Sequence, residues 1–297
     1  MGYLFLSLAL VAGATKGFCG KKMGNFAANT QSAVFLNLVR MLLCILFGIP
    51  LMLITEKGFA LDLSAPVLLI SALAGVSTAA FVVLWLLAVR KSAYMMLDVF
   101  LTLGALLPML MGYYFGERIG AWQWAGFAVL VVAVLLMCSY NNQIKPRLTL
   151  CALLLLVGCG IASGLSDFSQ KLFVRLLPQA SKSLFNLYTY VFAALALGAC
   201  YLLFFARGKL TFDGDARAKR RIYPMIAVMA LALLLNSYFK TLAAERLEAV
   251  YMYPLNQGAA LVISTLMAAL FFGERPNLRC ILGILFAFAG LLIINLT

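Results

Sequence analysis

The chain has 297 residues, 65% of them hydrophobic and 11% charged, with a mean hydropathy of +1.03. A soluble domain carries about 45–50% apolar and about 25% charged residues, so a water-soluble fold is excluded and lipid must solvate most of the surface. The net charge of +13 lies in clusters between apolar runs, not in a basic stripe interleaved with stacking aromatics, which argues against a nucleic-acid partner.

A spanning helix needs about 20 mostly apolar residues. In chain order the sequence predicts ten, near 3–20, 32–54, 66–89, 92–115, 121–139, 148–168, 183–206, 222–241, 249–272 and 278–296. The first begins Met1-Gly2-Tyr3-Leu4-Phe5 without the basic stretch of a signal peptide, and is read as a span, not a cleaved leader. Breaks fall at Glu56-Lys57-Gly58, Asn141-Asn142-Gln143, Lys145-Pro146-Arg147 and the charged stretch 207–221. Long apolar runs without polar alternation favour helices over a barrel. The expected fold class is therefore an all-α integral membrane protein of the cytoplasmic membrane.

The hydrophobic architecture occurs twice. Phe115-Gly116-Glu117-Arg118 and Phe272-Gly273-Glu274-Arg275 each close one apolar run and precede another. Tyr94-Met95 and Tyr251-Met252 lie equally far upstream of them, and Gly126 and Gly283 equally far downstream. The polar stretch near 140–147 divides the chain into two halves, 1–141 and 146–297, with five predicted helices each. Five is odd, so the second half enters the membrane from the opposite side. This inverted-repeat arrangement is common among secondary transporters, whose working site lies between the copies.

Charge at the bilayer centre costs about 2.5–3.5 kcal/mol on the insertion scale, so polar groups there are candidates for function. Asp98 lies well inside the fourth segment, and Tyr94, Asp98 and Thr102 share one helical face. The ninth segment carries Tyr253, Asn256 and Gln257, the sixth Ser163, Ser166 and Asp167, the eighth Asn236 and Lys240, the third Thr78 and the first Lys16. These are the substrate-cavity candidates. For serine and threonine alone, interhelical hydrogen bonds that hold the bundle are the weightier reading. Lys16, Asp167 and Lys240 stand between a cavity role and snorkelling to the interface. Arg40 is expected as an interfacial anchor. Asp98 suits a cationic group or a coupling proton, with Lys16 and Lys240 as possible partners. Glu117 and Glu274 are expected at helix ends, pairing with Arg118 or Arg275 or capping the next helix. The spacings Gly13/Gly17, Gly112/Gly116 and Gly160/Gly164 permit close helix approach.

The paired Phe-Gly-Glu-Arg marks, Gly126 and Gly283 before long Leu/Ile/Val helices, Arg40, and Tyr253-Pro254-Leu255 together resemble the EamA-like family of the drug/metabolite transporter superfamily. The resemblance implies two inverted five-helix repeats and alternating access. It also implies a central cavity among segments 1, 3, 4, 6, 8 and 9, and export or exchange of a small polar metabolite, amino acid or drug. There are departures. Lys16-Gly17 and Ser163-Gly164 stand where the family has Trp-Gly, and Pro108 lies deeper than the usual proline. An aspartate like Asp98 is no part of the general pattern.

Segment ends after the odd-numbered helices collect 16 of the 23 lysines and arginines, which by the positive-inside rule puts the termini outside. The resemblance implies cytoplasmic termini. Two other classes compete with transport: a polytopic enzyme acting on a lipid-linked substrate, and a membrane scaffold. The chain has no histidine, and its ten acids are scattered, which disfavours interfacial acid–base catalysis. The seven cysteines are read as small buried hydrophobes, and no cofactor or metal is expected. Partners are the lipid bilayer, a small-molecule substrate and a coupling proton, with monomer and homodimer both compatible.

Overall fold

A computed structural model describes residues 1–24, 26, 29–56, 61–91, 94–139, 149–205, 216–273 and 278–295. In order the helices are α1 (Gly2–Gly24), α2 (Thr30–Glu56), α3 (Ala65–Lys91), α4 (Tyr94–Gly104), α5 (Leu106–Tyr114), α6 (Ala121–Ser139), α7 (Leu150–Leu176), α8 (Lys182–Cys200), α9 (Ala216–Arg246), α10 (Ala249–Phe271) and α11 (Leu278–Asn295). A π-helical turn, Tyr201–Phe205, continues α8. Among the described residues, seven helices are long and apolar enough to cross a membrane. Three shorter apolar stretches are Phe100–Tyr114, Ala121–Ala133 and Ile281–Ile294.

Each predicted segment falls on helix, with one correction. The segment at 92–115 is broken at Ala105 into α4 and α5. The cause is local: Pro108 has no N–H for the carbonyl of Gly104, and its ring crowds that carbonyl. The Ala105 N–H instead bonds back to the Thr102 carbonyl at 3.2 Å, a tighter turn than the helix it interrupts.

Helix ends are set by the residue types expected to set them. Thr149 caps α7 by accepting from the Ala152 N–H at 3.2 Å, and Ser181 caps α8 by accepting from the Leu184 N–H at 3.1 Å. After α5 the chain leaves through a left-handed glycine, Gly116, at φ +90°. The Glu117 N–H bonds to the Gly112 carbonyl and the Gly116 N–H to the Tyr113 carbonyl, the paired bonds of a Schellman turn. Gly273, at the matching place after α10, also has positive φ, +64°. A side chain at either position would be strained.

Helices α1 and α9 pack together, as do α3 and α7, α2 and α8, and α6 and α11; α4 and α5 lie between α7 and α10. Among the crossings that bring backbone onto backbone are those of α4 with α7 and of α6 with α11. A Cβ on Gly104 would sit 2.5 Å from the Gly160 carbonyl oxygen, and one on Gly126 would sit 2.6 Å from that of Gly290. Of the three spacings read as permitting close approach, Gly160/Gly164 does so against Gly104. Gly13 faces the Asn236 side chain, and Gly112 makes room for the Glu117 carboxylate and Ala249.

The outer face carries exposed Leu42, Leu46, Leu154, Leu195, Leu231 and Leu266. An apolar surface of this extent fits hydrocarbon, where only internally hydrogen-bonded helices or closed barrels persist.

Candidate functional site

A cavity of about 160 Å³ lies in the middle of the bundle, lined from α1, α2, α3, α4, α7, α8, α9 and α10. A dry protein cavity of about this volume holds a benzene ring, so the space suits a small metabolite. Nine of the sequence candidates line it: Lys16, Thr78, Ser163, Ser166, Asp167, Asn236, Lys240, Asn256 and Gln257. They come from five helices and both halves of the chain, which no span of sequence could have revealed. Apolar walls are supplied by Phe81, Trp85, Leu101 and Ile263.

The charged core of the cavity is a pair. Lys240 on α9 donates to Asp167 Oδ1 on α7 at 2.6 Å. Both side chains are nearly buried, at 11% and 8% exposed, so neither snorkels to the interface. Lys240 therefore has Asp167 as its carboxylate among the described residues. Its ammonium also lies 5.5 Å from the centre of the Tyr253 ring, a cation–π approach. Tyr253 is fully buried and donates its hydroxyl to the Asp167 carbonyl at 3.0 Å. It stands behind the cavity wall and positions α7 against α10. Asp167 Oδ2 is buried with no hydrogen-bond partner among the described residues, an acceptor left over for something that enters.

The other candidates divide. Thr78 and Ser166 hydrogen-bond to each other across α3 and α7 at 3.1 Å, so their hydroxyls both line the space and tie its walls. Asn236 donates to the Ala9 carbonyl at 2.6 Å, joining α9 to α1. Asn256 Oδ1 is buried and has no hydrogen-bond partner among the described residues. Lys16 lies 5.9 Å from the centre of the Phe81 ring. Thr102 is buried off the cavity. The side chains of Tyr94 and Asp98 lie outside the described residues.

Arg40 is a correction. It is not an interfacial anchor but 2% exposed, ten residues into α2, and it lines the cavity. Its Nη1 donates to the Met229 thioether at 3.4 Å, and its Nε has no hydrogen-bond partner among the described residues. The signal for this was in the sequence: an arginine far enough inside an apolar run that its side chain has lipid or protein, not water, within reach. α8 contributes Tyr190, whose hydroxyl donates to the Leu233 carbonyl at 3.2 Å; a lone tyrosine in an apolar run gave no signal.

Glu117 is a second correction. It pairs with Lys171, not Arg118, at 3.3 Å, both side chains being buried. Its other oxygen accepts from the Ala249 and Val250 N–H groups at 2.8 and 3.2 Å. It does cap a helix, but that helix is α10, far along the chain, not the next one. Lys171 continues the link by donating to the Ala244 and Leu247 carbonyls at the end of α9. Glu274 and Arg275 lie outside the described residues.

Residues 150–296 match the model of the EamA-like transporter family, a domain of the drug/metabolite transporter superfamily. The match and the apolar helices mark a multi-pass membrane protein and point to a membrane transporter of that type. A crystal structure with 16% sequence identity aligns over 99% of this chain and 97% of its own, with a TM-score of 0.69; at that identity the likeness speaks for the fold alone. No curated protein matches the sequence.

Proposed function

We propose that the chain is a secondary-active transporter that carries a small polar metabolite, amino acid or drug across the cytoplasmic membrane by alternating access. Its halves, 1–141 and 146–297, are inverted five-helix repeats. The observation that carries this reading is the central cavity, lined by polar groups from both halves. The packing supports the repeat. The first span of each half lies on the third span of the other, α1 on α9 and α7 on α3, while second meets second and fifth meets fifth. A two-fold exchange of halves leaves that pattern unchanged. Repeats of opposite sense around one site suit a rocking motion that opens it to either face.

The candidate lining residues Lys16, Thr78, Ser163, Ser166, Asp167, Asn236, Lys240, Asn256 and Gln257 contact substrate, and Asp98 carries the coupling proton. The test is flux into liposomes bearing the full chain, with radiolabelled amino acids, polyamines and sugars and with cationic dyes. At least one class is expected to move, and Asp98→Asn is expected to abolish flux or its pH dependence while the protein still inserts. Product formation without flux would favour an enzyme instead. An unchanged pH profile in Asp98→Asn would remove the proton from that residue.

A further inference from the structure

We infer that the cavity selects a small organic anion, a carboxylate or phosphate ester, and that the Arg40 guanidinium is its charge partner. The inference rests on reading the cavity as the transport site.

A buried cation without a counter-charge is costly and persists where something repays it. Among the described residues Arg40 is such a group. It is 2% exposed and lines the cavity, yet its polar contact is a thioether, and its Nε is unpartnered. The groups beside it are engaged elsewhere: the Tyr190 hydroxyl with the Leu233 carbonyl, and the Cys44 thiol with the Ala230 carbonyl at 3.4 Å. The planar fork of a guanidinium matches carboxylate and phosphate oxygens, and charge-assisted bonds of this kind are among the stronger ones in proteins. A ligand anion would supply what the fold withholds.

The wider lining agrees. Among the described lining residues the cations are Lys16, Arg40 and Lys240, and the carboxylate is Asp167. Asp167 is already taken by Lys240 through Oδ1. With Asp167 and Lys240 joined to each other, the Arg40 guanidinium is the group that favours a negative guest, and low-dielectric walls strengthen its pull. Trp85 and Phe81 on one side and the amides of Asn256 and Gln257 on another fit a guest with a carbon skeleton as well as a charged end.

Three probes share one ring and differ in charge: benzoate, benzamide and benzylamine, with phenyl phosphate as the second anion. Their binding to the detergent-purified full chain is measured by titration calorimetry at constant ionic strength. Benzoate or phenyl phosphate is expected to bind at least about ten-fold more tightly than benzamide, a ratio worth one charge-assisted hydrogen bond, with benzylamine weakest. Arg40→Met should erase the preference, and Arg40→Lys should retain part of it. With no ligand, Arg40→Met should melt at or above the wild-type temperature, because it removes an unpaired buried charge.

Benzamide or benzylamine binding as well as the anions would overturn the proposal, as would no anion binding at all, or an anion preference that survives Arg40→Met. A markedly lower melting temperature for ligand-free Arg40→Met would make Arg40 a structural residue and overturn it too. Liposome flux separates the two claims. Flux of neutral or cationic solutes without anion preference sinks this inference and leaves transport standing. Arg40-dependent anion binding with no flux of any solute sinks transport and leaves the anion site.

Discussion

Replacing Glu117 by glutamine removes one negative charge and almost no volume from a place where four helices meet. The carboxylate joins the end of α5 to Lys171 on α7 and to the first N–H groups of α10. Lys171 in turn holds the last carbonyls of α9. The side chains are 5% and 6% exposed, so water repays little of the loss. Breaking a buried pair from one side costs about 3–5 kcal/mol. The glutamine oxygen still accepts from one α10 N–H, which retains a capping bond worth about 1 kcal/mol. The expected destabilisation of Glu117→Gln is therefore about 3 kcal/mol, near the lower bound. Lys171→Met should cost a similar amount alone, and the double variant less than the sum by at least about 1 kcal/mol. Thermal unfolding in detergent, followed by reaction of the buried thiols Cys44 and Cys159, measures all four proteins. If Glu117→Gln melts with the wild type, or the two losses simply add, the link is not what holds this end of the bundle.

Two further expectations use the same assay. Asp167→Asn should lower stability by about 3 kcal/mol by stranding Lys240 and should abolish flux. Asp167→Asn with Lys240→Met should regain stability but not flux, and transport by that double variant would free the pair of any part in the cycle. Gly104→Ala should cost about 1–3 kcal/mol, because its methyl group meets the Gly160 carbonyl and two backbones must part. Gly198→Ala, whose methyl group would be 4.0 Å from its nearest neighbour, Leu38, should stay within about 0.5 kcal/mol of wild type. Equal losses at the two glycines would contradict the close crossing of α4 and α7.

Much of the candidate site was legible as a set of residues and almost none of it as a set of contacts. Lys16, Thr78, Asp167, Asn236, Lys240 and Gln257 were each conspicuous as polar groups within apolar runs, and each lines the cavity. Which of them meet was not legible. Lys240 meets Asp167, 73 residues away, while the Asp98 side chain, its other possible partner, lies outside the described residues. Arg40 reads as interfacial from its place in the first half of an apolar run, but ten residues of helix separate it from the α2 start and bury it. The break at Ala105 had its cause in view in Pro108, but a proline near a segment's centre does not say whether a helix bends or stops.

Composition and the succession of apolar runs by themselves determined that lipid is the solvent, where the helices lie, and that a glycine turn recurs after α5 and α10. Those are local properties: each run satisfies its own backbone hydrogen bonds and pays its own transfer free energy. Only the tertiary structure decided that Glu117 caps α10, that Asp167 meets Lys240, and that Arg40 reaches the cavity with no carboxylate partner among the described residues. Those contacts depend on the rotation and crossing of helices distant in sequence. Close approaches such as Gly104 on Gly160 set that geometry, and hydropathy carries no information about it.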